Sequence, residues 1–251
     1  MQFAGKNIWL IGASEGIGRA LAIKMAGEGA NVAVSARSKD RLVSLVSEMP
    51  KGKHLAVAVD ATKNESVLAG FEEIKSAWGH IDAVIYASGV YTPMSVKQMD
   101  LKACEQTLDV NFTGSMRLLN VILPHFLSRN AGSIVLVGSV AGFRGLPNSL
   151  AYGASKAAMI HMVETIKMDL ADTNIDVHIV NPGFVKTRLT DKNEFKMPFI
   201  ITAEKAADII LKGLKRDAFE IHFPKAFTMW FKLLKLLPSS LYCKIVSKIT
   251  S

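Results

Sequence analysis

The sequence predicts an α/β fold: a doubly wound parallel sheet of about seven strands, three layers deep in the order helix, sheet, helix. Two observations carry that prediction. Short Val/Ile-rich runs alternate with longer amphipathic stretches from the amino terminus to about residue 222. Several of the short runs, such as Ile134–Val137, are apolar at every position, so both faces are buried, as a central parallel strand requires.

Taken in order, strands are expected at Ile8–Ile11, Val32–Ser35, Leu55–Val59, Ala83–Tyr86, Ser133–Val137, Asp176–Val180 and Phe219–His222. Helices are expected near Gly16–Glu28, Asp40–Met49, Glu65–Trp78, Phe112–Ser128, Tyr152–Ala171 and Ala203–Leu214. Right-handed crossovers between such strands place helices on both faces, and ligands then bind beyond the carboxyl ends of the strands. The loops that follow strands are therefore where chemistry is expected.

Composition narrows the class. The 251 residues are 49% hydrophobic and 21% charged, with 18 Gly and 8 Pro, which excludes disordered and collagen-like chains. Cys104 and Cys243 form no disulfide framework and lie in no Cys/His cluster of metal-ligand spacing, so a reducing compartment and no metal are expected. The first apolar run, Ile8–Ile11, ends at Gly12, too short for a secretory signal, and no apolar stretch reaches membrane-spanning length. A cytoplasmic protein is expected. No repeat or linker divides the chain, which reads as one domain over 1–222 with a C-terminal appendage at 223–251. Thirty Lys+Arg against 22 Asp+Glu leave +8, and after Glu220 there are five lysines and no acid. The body lacks the Arg-rich, aromatic-interleaved patches of a nucleic-acid binder, so no nucleic-acid partner is expected.

The first strand runs into Gly12-Ala13-Ser14-Glu15-Gly16-Ile17-Gly18 and then an amphipathic helix. Glycines permit a tight turn and close backbone approach, and the free N–H groups at a helix start favour a pyrophosphate. The second strand ends at Ser35-Ala36-Arg37-Ser38. A carboxylate here would bond a ribose hydroxyl, whereas Arg37 pairs with a 2′-phosphate and argues for NADP over NAD. The alternative is a solvated Arg37 at a loop edge, since Lys39 and Arg41 nearby could equally supply that charge. Asp60 and Ala61 follow the third strand, where an adenine could be bracketed.

Tyr152 and Lys156 are one helical turn apart at the start of a long helix and so share a face. A phenol is a poor proton donor or acceptor at neutral pH, and an ammonium beside it stabilises the phenolate, a role for Lys156. Ser139, at the carboxyl edge of the fifth strand, could polarise a substrate carbonyl. Asn111, at the start of another helix, could hold a water.

With these residues in this order, the chain resembles the short-chain dehydrogenase/reductases, in their compact single-domain branch, over roughly residues 5–222. The resemblance rests on Gly12, Gly16 and Gly18, Asp60, Asn111, Ser139, Tyr152 with Lys156, and Pro182-Gly183. It implies a Rossmann-type fold, a nicotinamide cofactor and an Asn–Ser–Tyr–Lys tetrad. Tyr152 would transfer the proton, Ser139 position the carbonyl, Lys156 also hold the nicotinamide ribose, and Asn111 complete a water relay. The nicotinamide carboxamide would meet the backbone near Val185, and Thr187 would approach the phosphates. One departure stands out: Ala87-Ser88-Gly89 replaces the family's Asn-Ala-Gly, whose Asn braces neighbouring backbone. Ser88 could substitute for that brace, and Gly89, beside the cofactor, is retained. The resemblance also implies a homodimer or homotetramer built on the helices Phe112–Ser128 and Tyr152–Ala171.

Around the carbonyl, Tyr91, Met94, Val140, Phe143, Leu146, Phe184, Phe195, Met197, Phe199 and Ile200 suggest an apolar wall and a hydrophobic ketone or aldehyde, unless they pack in a lid or subunit contact. Arg144 and Arg188 could meet an anionic acyl thioester. In the tail, Phe227, Trp230, Phe231, Leu233, Leu234 and Leu237 fall on one side of a helix, with Lys225, Thr228, Lys232 and Lys235 on the other. Such a helix reads either as a peripheral membrane contact or as an oligomer or pocket helix. The reading is thus an NADPH-dependent reductase of a hydrophobic, lipid-like or acyl carbonyl, or the reverse alcohol dehydrogenase. Its rivals are a non-catalytic NADP-binding regulator and a membrane-surface interaction protein on the same fold.

Overall fold

The computed structural model describes residues 1–192 and 197–250. Among them seven strands form one parallel sheet: β1 (Asn7–Ile11), β2 (Asn31–Ala36), β3 (Leu55–Ala58), β4 (Ala83–Tyr86), β5 (Gly132–Val137), β6 (Ile175–Pro182) and β7 (Glu220–Phe223). Their order is β3-β2-β1-β4-β5-β6-β7. Each expected strand is present, shifted by one or two residues at its ends. The order reverses between β1 and β4, where Ile8 pairs with Ala83 and Ile11 with Tyr86. That reversal opens a crevice at the carboxyl ends of these two strands.

Helices α1 (Gly16–Gly27), α2 (Lys39–Glu48) and α7 (Ala203–Lys215) cover one face, burying Leu21, Met25, Leu42, Leu45, Ile210 and Leu214 against the sheet. Helices α3 (Asn64–Trp78), α5 (Gly114–Arg129) and α6 (Leu150–Asp169) cover the other, through Val67, Ile74, Leu118, Ile122, Phe126 and Met159. Trp9 lies in this second layer with no exposed surface, and its indole N–H donates to Ser35 Oγ at 2.9 Å, so the buried donor is satisfied.

Two features differ from expectation. A further helix, α4 (Leu101–Leu108), precedes α5 and joins it through a wide π-type turn at Asp109–Thr113. Asp100 caps α4 by accepting from Ala103 N at 3.2 Å. Asn111 therefore does not begin a helix: it sits in the turn midway along one continuous rod. A π-turn carries an extra residue per turn, and such turns re-aim side chains at functional positions.

The C-terminal residues form α8 (Lys225–Lys235) and α9 (Ser239–Thr250). The face assigned to α8 is also corrected. Thr228, expected on the polar side, has no exposed surface, whereas Trp230 and Leu233, expected with the buried side, are 54% and 56% exposed. Thr228 tolerates burial because its hydroxyl bonds His222 Nδ1 at 2.6 Å and Pro224 O at 3.1 Å. No helix among the described residues is long and apolar enough to cross a membrane.

Candidate active site

The site is assembled at the carboxyl ends of β1, β4, β5 and β6. At the end of β1, Gly12 has φ +92°, and a Cβ there would lie 2.4 Å from Ser88 N. A Cβ on Gly18 would fall 2.1 Å from Gly12 O. The chain can therefore turn from β1 into α1, beneath the loop that follows β4, only with glycine at both positions. Gly16, at φ +57°, faces Thr187, whose Cγ2 would be 3.0 Å from a Cβ there. Ser14 and Ile17 belong to the same turn. Thr187 is thus brought to the glycine turn.

Ser139 follows β5 and caps a short turn by accepting from Ala141 N at 3.1 Å. Tyr152 reaches it from the first turn of α6 and shares a hydrogen bond with it. Lys156 is buried. Its ammonium lies 5.8 Å from the Tyr152 ring centroid and donates to Val137 O at 2.8 Å. Ser139, Tyr152 and Lys156 are therefore brought together.

The electrostatics differ from the simple expectation. Burial pushes the Tyr152 phenol up, and the hydrogen bond with Ser139 only partly offsets it. Burial also pushes the Lys156 ammonium down to about 8. The expected depression of the phenol by the ammonium is not realised, because Nζ is turned toward Val137 O. Burial disfavours the charged forms of both groups, which keeps the tyrosine protonated and brings the titration of the lysine down toward neutral pH while leaving it mostly charged there.

Asn111 Oδ1 accepts from Val90 N at 2.7 Å. Its Nδ2 donates to Val90 O and to Ser155 Oγ, both at 3.0 Å. The side chain ties the loop after β4, which carries Ala87-Ser88-Gly89, to α6. Gly89 completes the floor: a Cβ there would lie 3.5 Å from Asn111 Oδ1 and 3.8 Å from Lys156 Nζ. Its absence leaves open a space bounded by polar groups. The nicotinamide end of a dinucleotide fits such a cradle, with Lys156 able to reach a ribose.

At the adenosine end, Arg37 is exposed after β2. Asp60 Oδ1 accepts from Thr62 N at 3.0 Å and Thr62 Oγ1 at 2.7 Å. Burial raises the Asp60 carboxyl, but these bonds and the charges of Arg37 and Lys63 outweigh it and hold it below its ordinary range. Ala61 O accepts from Arg117 Nη1 at 3.2 Å. Glu15 was not singled out from the sequence, yet its carboxylate receives Arg41 at 3.3 Å and Arg188 at 3.0 Å. It therefore ties the glycine turn to α2 and to the loop after β6. That loop runs from Pro182 and Gly183 past Val185, which bridges to Ile201.

The expected substrate wall is partly assembled. Val140, Phe143 and Phe227 form a buried cluster, with Phe184 and Phe231 packed against it, and Tyr91 meets the Tyr152 ring edge-on at 5.0 Å. Met94 instead packs against Cys104 and Ala151, and Leu146 joins a tail cluster with Leu234, Tyr242 and Val246. Phe199 and Ile200 are exposed, Met197 is half-buried, and Phe195 lies outside the described residues. Both arginines proposed for an acyl thioester are engaged elsewhere. Arg188 meets Glu15, and Arg144 bonds the carbonyls of Leu234, Lys235 and Leu237 and stacks 4.2 Å over Tyr242. On β6 and just before β7, Asp176, His178 and Asp217 bring their ligating atoms within 4.8 Å of one another. There His178 is held by Ala218 O at 2.9 Å.

Comparison with known proteins agrees with this geometry. A family model described as short chain dehydrogenase matches residues 6–197. An uncharacterized oxidoreductase of Myxococcus xanthus is 34% identical over 233 residues, 92% of each chain. Two solved structures share the fold. A short-chain dehydrogenase/reductase from Burkholderia phymatum in complex with NAD has TM-score 0.86 and 23% identity, covering 93% of this chain and 94% of that one. A short-chain dehydrogenase from Burkholderia cenocepacia in complex with NADP has TM-score 0.85 and 24% identity, covering 98% and 99%. A glycine turn at the sheet reversal, a Ser–Tyr–Lys cluster beyond β5 and a family match spanning both place this chain among the short-chain dehydrogenases, as an NAD(P)-dependent oxidoreductase acting on CH–OH/C=O groups.

Proposed function

We propose that this oxidoreductase is an NADPH-dependent carbonyl reductase, or the reverse alcohol dehydrogenase, for a hydrophobic ketone or aldehyde of lipid-like or acyl character. The observation that carries the reading is the convergence of Ser139, Tyr152 and Lys156 beside the aromatic cluster of Val140, Phe143, Phe184 and Phe227. Bound NADPH supplies a hydride. Ser139 Oγ holds the substrate carbonyl oxygen, and the protonated Tyr152 phenol donates to that oxygen as negative charge develops on it. Lys156, as ammonium, stabilises the phenolate left behind and holds the ribose. Asn111 keeps α6 and the loop after β4 in register and supports a water relay to Lys156. The apolar wall excludes bulk water, which strengthens each of these interactions.

The NADP preference rests on Arg37 at the end of β2, with no carboxylate at that position to take ribose hydroxyls. Gly12, Ser14, Gly16, Ile17, Gly18, Asp60, Ala61, Ser88, Gly89, Pro182, Gly183, Val185 and Thr187 would line the cofactor. A homodimer or homotetramer in the cytoplasm, assembled on α5 and α6, completes the proposal. The test is NADPH oxidation with a panel of hydrophobic ketones and acyl thioesters, comparing wild type with Tyr152→Phe and NADPH with NADH. Turnover that prefers NADPH and falls by about 10²-fold or more in Tyr152→Phe, with NADPH affinity unchanged, is the expected result. Turnover that survives the substitution would refute the role of the phenol.

A further inference from the structure

The apolar arc of α8 is wider than the protein surface it covers. Its inner side, Phe227 and Leu234, is buried. Phe227 packs against Phe184 at 5.4 Å and Phe231 at 4.9 Å between ring centroids. Its outer side presents Met229 (47% exposed), Trp230 (54%), Leu233 (56%) and Leu236 (80%) to solvent. These four follow i, i+1, i+4, i+7 spacing and so form a single stripe, and Leu241 at the start of α9 is also exposed, at 45%. The tail is rigidly presented: Arg144 grips the end of α8 through three carbonyls and the start of α9 through Ser239 Oγ at 3.0 Å. Tyr242 donates to Gly145 O at 2.8 Å.

The charged residues of α8 and α9 are of one sign. Glu220 is the last acid in the sequence, and it is paired with Lys232. Lys225, Lys235 and Lys244 are exposed on the same two helices. A second copy docking by two-fold symmetry would bring the same acid-free, lysine-bearing surface against itself. An anionic lipid surface instead offers hydrocarbon to the stripe and headgroup charge to the lysines, and the indole of Trp230 suits the boundary between them.

We propose that the outer face of α8, with Leu241 of α9, docks this protein on the surface of an anionic lipid bilayer without spanning it. The helix that carries the docking stripe on its outside carries Phe227 of the aromatic cluster on its inside, so docking places that cluster one helix diameter from the lipid. This last link rests on the function proposed above, whereas the docking itself does not.

The test is flotation of the full-length protein with vesicles of phosphatidylcholine alone or mixed with phosphatidylglycerol, together with quenching of Trp230 fluorescence by brominated lipid. Binding to the anionic vesicles is expected, weakening about fivefold for each of Lys235→Gln and Lys244→Gln and by about tenfold or more in Trp230→Glu/Leu233→Glu. The bromolipid quenching should disappear in Trp230→Phe, since Trp9 and Trp78 belong to the body. Circular dichroism and NADPH binding of the double variant, unchanged from wild type, keep folding and the cofactor reading separate from docking. Absence of binding to anionic vesicles would overturn the proposal. So would binding that the double variant retains, or a double variant that turns an oligomer into a monomer while wild type ignores vesicles.

Discussion

Replacing Lys156 by methionine should stabilise the cofactor-free protein while abolishing turnover. The ammonium is buried, and burial lowers it from 10.5 to about 8. Keeping it charged in the fold at neutral pH therefore costs about 3 kcal/mol, at about 1.36 kcal/mol per pH unit. Methionine removes that cost but leaves Val137 O without the bond it now accepts, a loss of about 1–2 kcal/mol. The net gain is about 1–2 kcal/mol, or about 2–8 °C in Tm for a chain of this size. The sign with pH follows from the lowered folded value. Between about pH 8 and pH 10.5 the unfolded chain holds the lysine proton and the fold does not, so wild-type stability rises through that window. The advantage of the variant should therefore shrink toward pH 10.5, and comparing the two proteins at each pH cancels the tyrosines that titrate there. Thermal or urea unfolding of both proteins across that range measures it. A variant that melts below wild type at neutral pH, or a gap that stays constant, would refute the reasoning.

Three other substitutions probe the site. Gly18→Ala forces a Cβ to within 2.1 Å of Gly12 O, so stability should fall by about 1–3 kcal/mol and NADPH binding weaken, read as a lower urea midpoint and a weaker fluorescence titration. Arg37→Asp should shift the NADPH-to-NADH affinity ratio toward NADH by about tenfold or more, and an unchanged ratio would move the phosphate contact to Lys39 or Arg41. Asn111→Ala removes the bonds to Val90 N, Val90 O and Ser155 Oγ, so unfolding free energy should drop by about 2–4 kcal/mol. Loss of turnover without that drop would assign Asn111 to the reaction rather than to bracing.

The sheet was legible because buried parallel strands are short continuous apolar runs between turn residues, and Asn7–Ile11 and Gly132–Val137 could be placed within a residue or two on that basis. Helix α4 was not, since it is short, only Cys104 and Thr107 are buried along it, and its apolar Leu101 and Leu108 are exposed. Its signal was the cap, Asp100 three residues before Ala103. The convergence of Ser139, Tyr152 and Lys156 was legible from spacing and order, but their charges were not. Tyr152 and Lys156 are governed by burial and by Val137 O, and neither is visible in a string of letters. Glu15 escaped notice because its partners, Arg41 and Arg188, are distant in sequence. The tail shows a different limit: a helical wheel separates apolar from polar positions, yet it cannot say which half of a wide apolar arc the protein will cover. Nor could it foresee that His222 would give Thr228 a partner.

The reversal of strand order between β1 and β4 has a consequence for how the chain folds. Neighbouring strands of this parallel sheet are not linked by tight hairpins, and the β1–β4 pairing joins Ile8 to Ala83 across the chain segment that carries β2 and β3. The crevice is therefore a seam between an amino-terminal and a carboxyl-terminal half, and it comes into being only when the two halves dock. Such non-local pairing is entropically costly to nucleate and slow to form. A dinucleotide bound there would clasp the halves together, at about 2.7 kcal/mol when present at 100 times its dissociation constant. Holding of the cofactor during refolding would thus report on completion of the whole sheet, not on either half.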